Sequence, residues 1–149
     1  MGAPPTEVFR FSNVLIGGVF AGGVVAFIVG LRVRHSKNYK RYGFGLIFVG
    51  LLAGLLIVPG LVEEHITITA HDYSMRTGFW FAPNERRFAF KDVEFITDGF
   101  WTDAKGRQNK RWEVHLKSGS ILDVPTGDLW RSNQKRIIQV LQERGVRFQ

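Results

Sequence analysis

Val14–Leu31, VLIGGVFAGGVVAFIVGL, and Tyr42–Val62, YGFGLIFVGLLAGLLIVPGLV, decide the fold class of this chain. Neither run contains an acidic residue. The hydrocarbon core of a bilayer is about 30 Å thick, so about 20 helical residues cross it. In lipid the backbone must satisfy its own polar groups, and a helix does so. The reading is two transmembrane helices followed by one soluble domain. Residues 1–62 would form an N-terminal arm and the transmembrane hairpin, and residues 63–149 the domain. The first run lacks a basic flank and exceeds a usual signal-peptide core, so it reads as an uncleaved anchor.

The loop between the runs holds Arg32, Arg34, Lys37, Lys40 and Arg41 and no acid. Its shortness makes the two helices antiparallel neighbours. These five cations account for most of the net charge of +7. From Glu63 onward, fourteen basic residues face twelve acidic ones, so the domain is nearly balanced. The charge is therefore a topology signal more than a ligand signal. The positive-inside rule puts the loop in the cytoplasm and the soluble domain outside it, in a multi-pass protein of the cell membrane.

Small residues recur every fourth position at Gly18, Gly22, Ala26 and Gly30, and again at Gly50 and Gly54. Such faces let helix backbones approach closely in lipid. They serve either the hairpin's own packing or docking onto another membrane subunit. Pro59-Gly60 is expected to end the second helix.

Beyond the runs the period changes. Ile66-Thr67-Ile68-Thr69-Ala70 alternates and reads as a strand running on to about Met75, with a turn at Thr77-Gly78. Phe79-Trp80-Phe81 reads as a short strand stopped by Pro83-Asn84. Arg87–Phe90 and Val93–Thr97 are further strands, with turn signals at Asp98-Gly99 and Lys105-Gly106. In Arg111–Lys117, Trp112, Val114 and Leu116 point one way. Ser118-Gly119 closes a hairpin onto Ile121–Val124. Leu129, Trp130, Ile137, Ile138 and Leu141 then fit an amphipathic helix begun by Thr126 or Asp128 and ended by Gly145. The pattern is α+β: an antiparallel sheet or open barrel capped by a C-terminal helix, with Trp130 and Ile137 filling the opening.

The order of four stretches resembles the bacterial PH-like domains of the DUF304 type. They are the Tyr73-Ser74-Met75-Arg76-Thr77-Gly78 turn, Phe90-Lys91-Asp92-Val93, the Leu116-Lys117-Ser118-Gly119 hairpin and the Ile137–Gly145 helix. Such domains often follow one or two transmembrane helices. The resemblance implies a PH-like fold and a binding or scaffolding role. It also implies a candidate surface, because the first hairpin loop of eukaryotic PH domains carries headgroup-binding cations. Here that loop holds Arg76, Arg86 and Arg87 with Phe79, Trp80 and Phe81. Many such proteins keep the domain in the cytoplasm behind basic residues, whereas this chain has Glu63-Glu64 after its second run.

Catalytic chemistry finds no foothold. There is no cysteine, which removes disulfides, thiolate nucleophiles and Cys-ligated zinc. His65 and His71 would stand about 20 Å apart on one strand, with His35 in the basic loop and His115 on a polar strand face, so no metal or other cofactor is expected. Asp92 and Glu94 share a face but no recognisable cleft. No serine sits in a nucleophile elbow. Phe100-Trp101, beside Arg107, Lys110 and Arg111, suits a protein contact better than nucleic acid. The expected function is a non-enzymatic, membrane-anchored accessory, assembly or scaffolding module that binds a membrane-protein partner. The alternative is a sensor of anionic lipid headgroups. The contact residues would be Arg76, Trp80, Arg86, Arg87, Phe100 and Trp101.

Overall fold

The computed structural model describes residues 4–36 and 38–149. Lys37 of the basic loop lies outside them. The architecture is α+β, with two long apolar helices, two antiparallel sheets and a C-terminal helix.

The first apolar run forms α1 (Asn13–Val33). Ser12 caps it, its Oγ accepting from the Leu15 N–H at 3.2 Å. Arg32 lies in its last turn, the end that favours a cation. The second run comprises α2 (Lys40–Leu52), a π-helical segment at Ala53–Ile57, and α3 (Val58–Glu63). Together these make 24 continuous helical residues, Lys40–Glu63. Pro59-Gly60 therefore does not end the helix. Pro59 sits in the first turn of α3, directly after the wide π turn, where its ring and missing N–H are tolerated.

The helices meet through Gly23 and Gly30 on one side and Gly43 and Gly50 on the other, all buried. A Cβ on Gly30 would stand 2.7 Å from the Gly43 carbonyl oxygen, and one on Gly50 would stand 2.6 Å from that of Gly23. The backbones thus touch where only glycine fits. Elsewhere the helices face outward: 6% of the first apolar window and 11% of the second are buried within the chain. A core helix of a soluble fold would bury far more.

The first sheet has the order β1-β2-β3-β4, formed by Glu7–Arg10, His65–Ile68, Asp72–Phe79 and Ala82–Ala89. Its first strand comes from the N-terminal arm, which the sequence reading left without structure. Glu7 binds the Arg136 guanidinium through both carboxylate oxygens, at 2.6 and 3.2 Å, and the Pro5 carbonyl accepts from Arg144 at 2.9 Å. The expected long strand from Ile66 to Met75 is instead a hairpin, with Ile66 opposite Met75 and Ile68 opposite Tyr73. Thr69 causes the reversal. Its Oγ1 accepts from the N–H groups of His71 and Asp72 and donates to the Asp72 carboxylate at 2.7 Å. Phe79-Trp80-Phe81 is likewise a reversal and not a strand, with Trp80 and Phe81 as its turn residues. Pro83 and Asn84 lie inside β4, an edge strand where a missing N–H does no harm.

A single 3-10 turn, Phe90–Asp92, leads to the second sheet: β5 (Val93–Thr102), β6 (Gln108–Leu116) and β7 (Ile121–Pro125). β5 runs straight through the supposed turn at Asp98-Gly99. Gly99 is there to admit a neighbour, because the Glu113 side chain occupies the space its Cβ would need. The tail pairs beside β5, with Ile96 and Phe148 bridged in parallel.

α4 (Asp128–Glu143) buries Leu129, Trp130, Ile137, Val140 and Leu141. Its N-cap is Gly127, not Thr126 or Asp128, and Val140 takes the buried place expected of Ile138. Gly145, at φ +84°, ends it with the Val146 N–H on the Leu141 carbonyl and its own N–H on that of Gln142. Trp130 meets Trp112 edge-on at 4.8 Å, and Trp112 also contacts Tyr73 and Phe148. Burying one indole removes roughly 200 Å² from water, about 5 kcal/mol. A cap is worth about 1 kcal/mol, so the Trp112–Trp130 contact is what docks the helix.

The chain divides into two compact units: residues 1–9, 65–76 and 85–149, and residues 10–64 and 77–84. The arm belongs with the sheets, and the β3–β4 tip belongs with the apolar helices.

Candidate functional site

The β3–β4 tip is the most unusual surface of the chain. Gly78, at φ +98°, takes a backbone conformation that side chains resist, and a Cβ there would stand 3.0 Å from the Ala82 carbonyl. The reversal then presents three consecutive aromatic rings. Phe79 and Phe81 stack at 5.3 Å with planes 7° apart, and Trp80 meets Phe81 edge-on at 5.5 Å. All three remain more than half exposed, at 53%, 52% and 59%. Phe79 and Phe81 are therefore surface rings and not core.

Trp80 has a specific partner. Its Nε1–H donates to the Leu55 carbonyl at 3.0 Å. Leu55 lies four residues before Pro59, whose nitrogen carries no hydrogen. Pro59 withholds one N–H from the carbonyls of this π-helical turn, and the indole supplies a donor to one of them. No periodicity links residue 80 to residue 55; the only sequence signal was a proline inside an otherwise helical run.

The three arginines of the hairpin do not act as one group. Arg87 is committed to Asp72, whose other oxygen accepts from Thr69. The Thr69 hydroxyl and the Arg87 guanidinium hold the Asp72 carboxyl below the usual carboxylate range. That favours the ionised form of Asp72, which His71 adjoins in a polar hollow also lined by Lys91 and Arg144. Arg76 is half-buried in β3, opposite His65. Arg86 is exposed on β4.

Phe100 and Trp101 lie on a second prominence. β5 and β6 continue past the last pair with β7, Arg111 opposite Pro125, as a two-stranded ribbon in which Phe100 faces Lys110 and Trp101 faces Asn109. The two rings are 56% and 45% exposed. Asp103 organises the ribbon's turn by accepting from the N–H groups of Lys105 and Arg107 at 2.9 Å, with the Arg107 side chain on its other oxygen. These donors hold its carboxyl below the usual range. Three of the four cations here have an acid: Arg107 with Asp103, Lys110 with Asp98, Arg111 with Glu113 and Asp123, Lys105 being the fourth. The ribbon therefore offers aromatic surface with most of its charge already matched.

The small residues divide in two. Gly30 and Gly50 lie at the helix–helix contact, whereas a Cβ on Gly18, Gly22 or Gly54 would meet nothing within 4 Å, and Ala26 is half-buried. Gly23 and Gly43 complete the contact, and neither lies on the every-fourth-residue pattern. The seven-residue interval of Gly23 to Gly30 and Gly43 to Gly50 was the available signal. In the basic loop, Arg32, Arg34, Lys40 and Arg41 are all exposed.

Among the described residues, no group of three or more His, Asp or Glu comes together as a metal site. His115 stacks on Phe95 at 4.3 Å, and its Nε2 lies 3.3 Å from the Thr97 hydroxyl, so it serves the sheet. No family model matches the chain, and no curated protein matches it in sequence.

Proposed function

We propose that the chain is a membrane-anchored, non-catalytic module in which α1 and the 40–63 helix span the bilayer. In this reading the two sheets and α4 form a PH-like domain that serves as an accessory or scaffolding surface for a membrane-protein partner. Length, apolarity and outward-facing side chains support the spans. Seven strands closed by a C-terminal helix over Trp112 and Trp130 support the PH-like assignment. The cations of the 32–41 loop support a cytoplasmic position for that loop and the opposite side for the arm and sheets.

The observation that carries the partner reading is the pair Phe100-Trp101, exposed on a projecting ribbon where three of the four cations are paired with acids. Aromatic side chains with neutralised surroundings are what a protein interface desolvates at least cost. A phosphate-binding surface would instead keep its cations free. A second reading, anionic headgroup binding, draws on the exposed Arg86 beside the aromatic hairpin.

Native mass analysis of the full chain in mild detergent tests the proposal. A defined larger assembly that loses the Phe100→Ser/Trp101→Ser chain, while that variant keeps its fold, is the expected result. Migration alone, or in an assembly indifferent to these residues, contradicts it. Vesicle binding that is sensitive to salt and to Arg86→Ala would favour the headgroup reading.

A further inference from the structure

We infer that the β3–β4 tip, Phe79-Trp80-Phe81, is embedded in the bilayer's acyl region beside the second helix. This rests on the membrane-spanning reading and adds a third inserted element, a β-hairpin, to the two helices. The Leu55 carbonyl sets the depth of the tip. Leu55 is seven residues inside the apolar run that ends at Val62, about 10 Å along the helix axis. Phe20, which lines the same groove as Leu55, is six residues from Val14 at the start of its own run, about 9 Å. Both counts put this carbonyl well inside the apolar slab. In water, a carbonyl in this irregular, proline-interrupted turn could bond to solvent. In hydrocarbon it must find a donor within the protein. Trp80 supplies one at 3.0 Å, so the tip reaches the same depth.

The composition of the tip agrees. Three rings, each more than half exposed, form an apolar surface that water would penalise and acyl chains would cover. Their only polar side-chain atom is the indole nitrogen, and it is satisfied. The depth matches the roughly 5–10 Å at which interfacial apolar elements rest. The occupant of this surface is therefore lipid acyl chain, and binding does not require anionic headgroups.

The chain contains no cysteine, so single nitroxide labels can be placed cleanly. Phe81→Cys and, as a second tip position, Phe79→Cys would be labelled in the full chain in phosphatidylcholine nanodiscs. Phe48→Cys marks the middle of the second helix and Ile121→Cys marks β7. The readout is relative accessibility to oxygen and to a water-soluble nickel chelate. The expected result is an oxygen-to-nickel ratio several-fold higher at both tip positions than at position 121, and lower than at 48. Adding Trp80→Phe should shift the tip ratio toward the aqueous value. A high ratio at 48 with aqueous values at 79 and 81 would overturn the inference and leave the spans standing. An aqueous value at 48 would overturn the spans and the inference together. Tip burial that appears only when phosphatidylglycerol is added would replace acyl contact with headgroup attraction.

Discussion

Replacing Trp80 by Phe removes one donor and keeps a ring against Phe81. If the indole stands in for the N–H that Pro59 lacks, the Leu55 carbonyl is left unsatisfied. A hydrogen bond contributes about 0.5–1.5 kcal/mol net, and an unsatisfied polar group in apolar surroundings costs about 1–3 kcal/mol. Side-chain bonds within membranes average nearer 0.6 kcal/mol, with a maximum of about 1.7. Trp80→Phe should therefore cost about 1–2 kcal/mol. Pro59→Ala restores a backbone N–H four residues after Leu55, so the same Trp80→Phe change made on that background should cost less than about 0.5 kcal/mol. The coupling, about 1 kcal/mol, exceeds the roughly 0.3–0.5 kcal/mol within which independent sites add. Reversible unfolding of the four chains in mixed micelles, followed by far-ultraviolet circular dichroism, measures it. Equal costs on both backgrounds would refute the compensation argument, because the indole would then contribute independently of the proline.

Three further outcomes follow from the same structure. Gly30→Ala and Gly50→Ala, which force a Cβ against facing backbone, should each destabilise the helix pair by about 1–3 kcal/mol, while Gly18→Ala and Gly22→Ala leave it unchanged or firmer; unfolding in micelles distinguishes them. The Asp72 carboxyl titrates lower in the folded chain than in the unfolded one, so its stabilisation is complete above about pH 4 and fades as pH falls through the folded value. Asp72→Asn should flatten the acid limb of a stability–pH curve, and superimposable limbs would contradict this. Removing residues 1–10 exposes the edge of β2 and should promote self-association, read as a larger particle by light scattering in detergent; an unchanged particle size would show that edge to be inert.

The parts of the fold that were legible in the sequence are those with a long or regular signal. Two apolar runs without acids needed only counting. The alternation of Trp112 and Val114 and the Ser118-Gly119 turn gave the β6–β7 hairpin directly. Failures came where one residue acts through a distant partner. Thr69-Ala70-His71-Asp72 contains neither glycine nor proline, yet it reverses the chain through a hydroxyl. Gly99 looked like a turn residue because its true reason, room for Glu113, sits on another strand. Glu7–Arg10 is too short for a period to declare itself, and its partners Arg136 and Arg144 lie at the far end of the chain. At the candidate sites, Phe100-Trp101 and the hairpin aromatics were visible as clusters, but the exposure of Phe79 and Phe81 was not. What the sequence hid was how charges are shared out: Arg87 to Asp72, Arg111 to two acids, and the Trp80 N–H to Leu55.

The central claim is a two-span anchor with its basic loop on one side of a membrane and its sheets on the other. Side-specific thiol labelling in intact cells tests it most directly, with one cysteine introduced in the loop, Ser36→Cys, and one in the sheet domain, Thr102→Cys. An impermeant reagent added outside should label position 102 and spare position 36 until the membrane is opened. Labelling of both positions from the same side, or recovery of the protein in the soluble fraction, would contradict the claim.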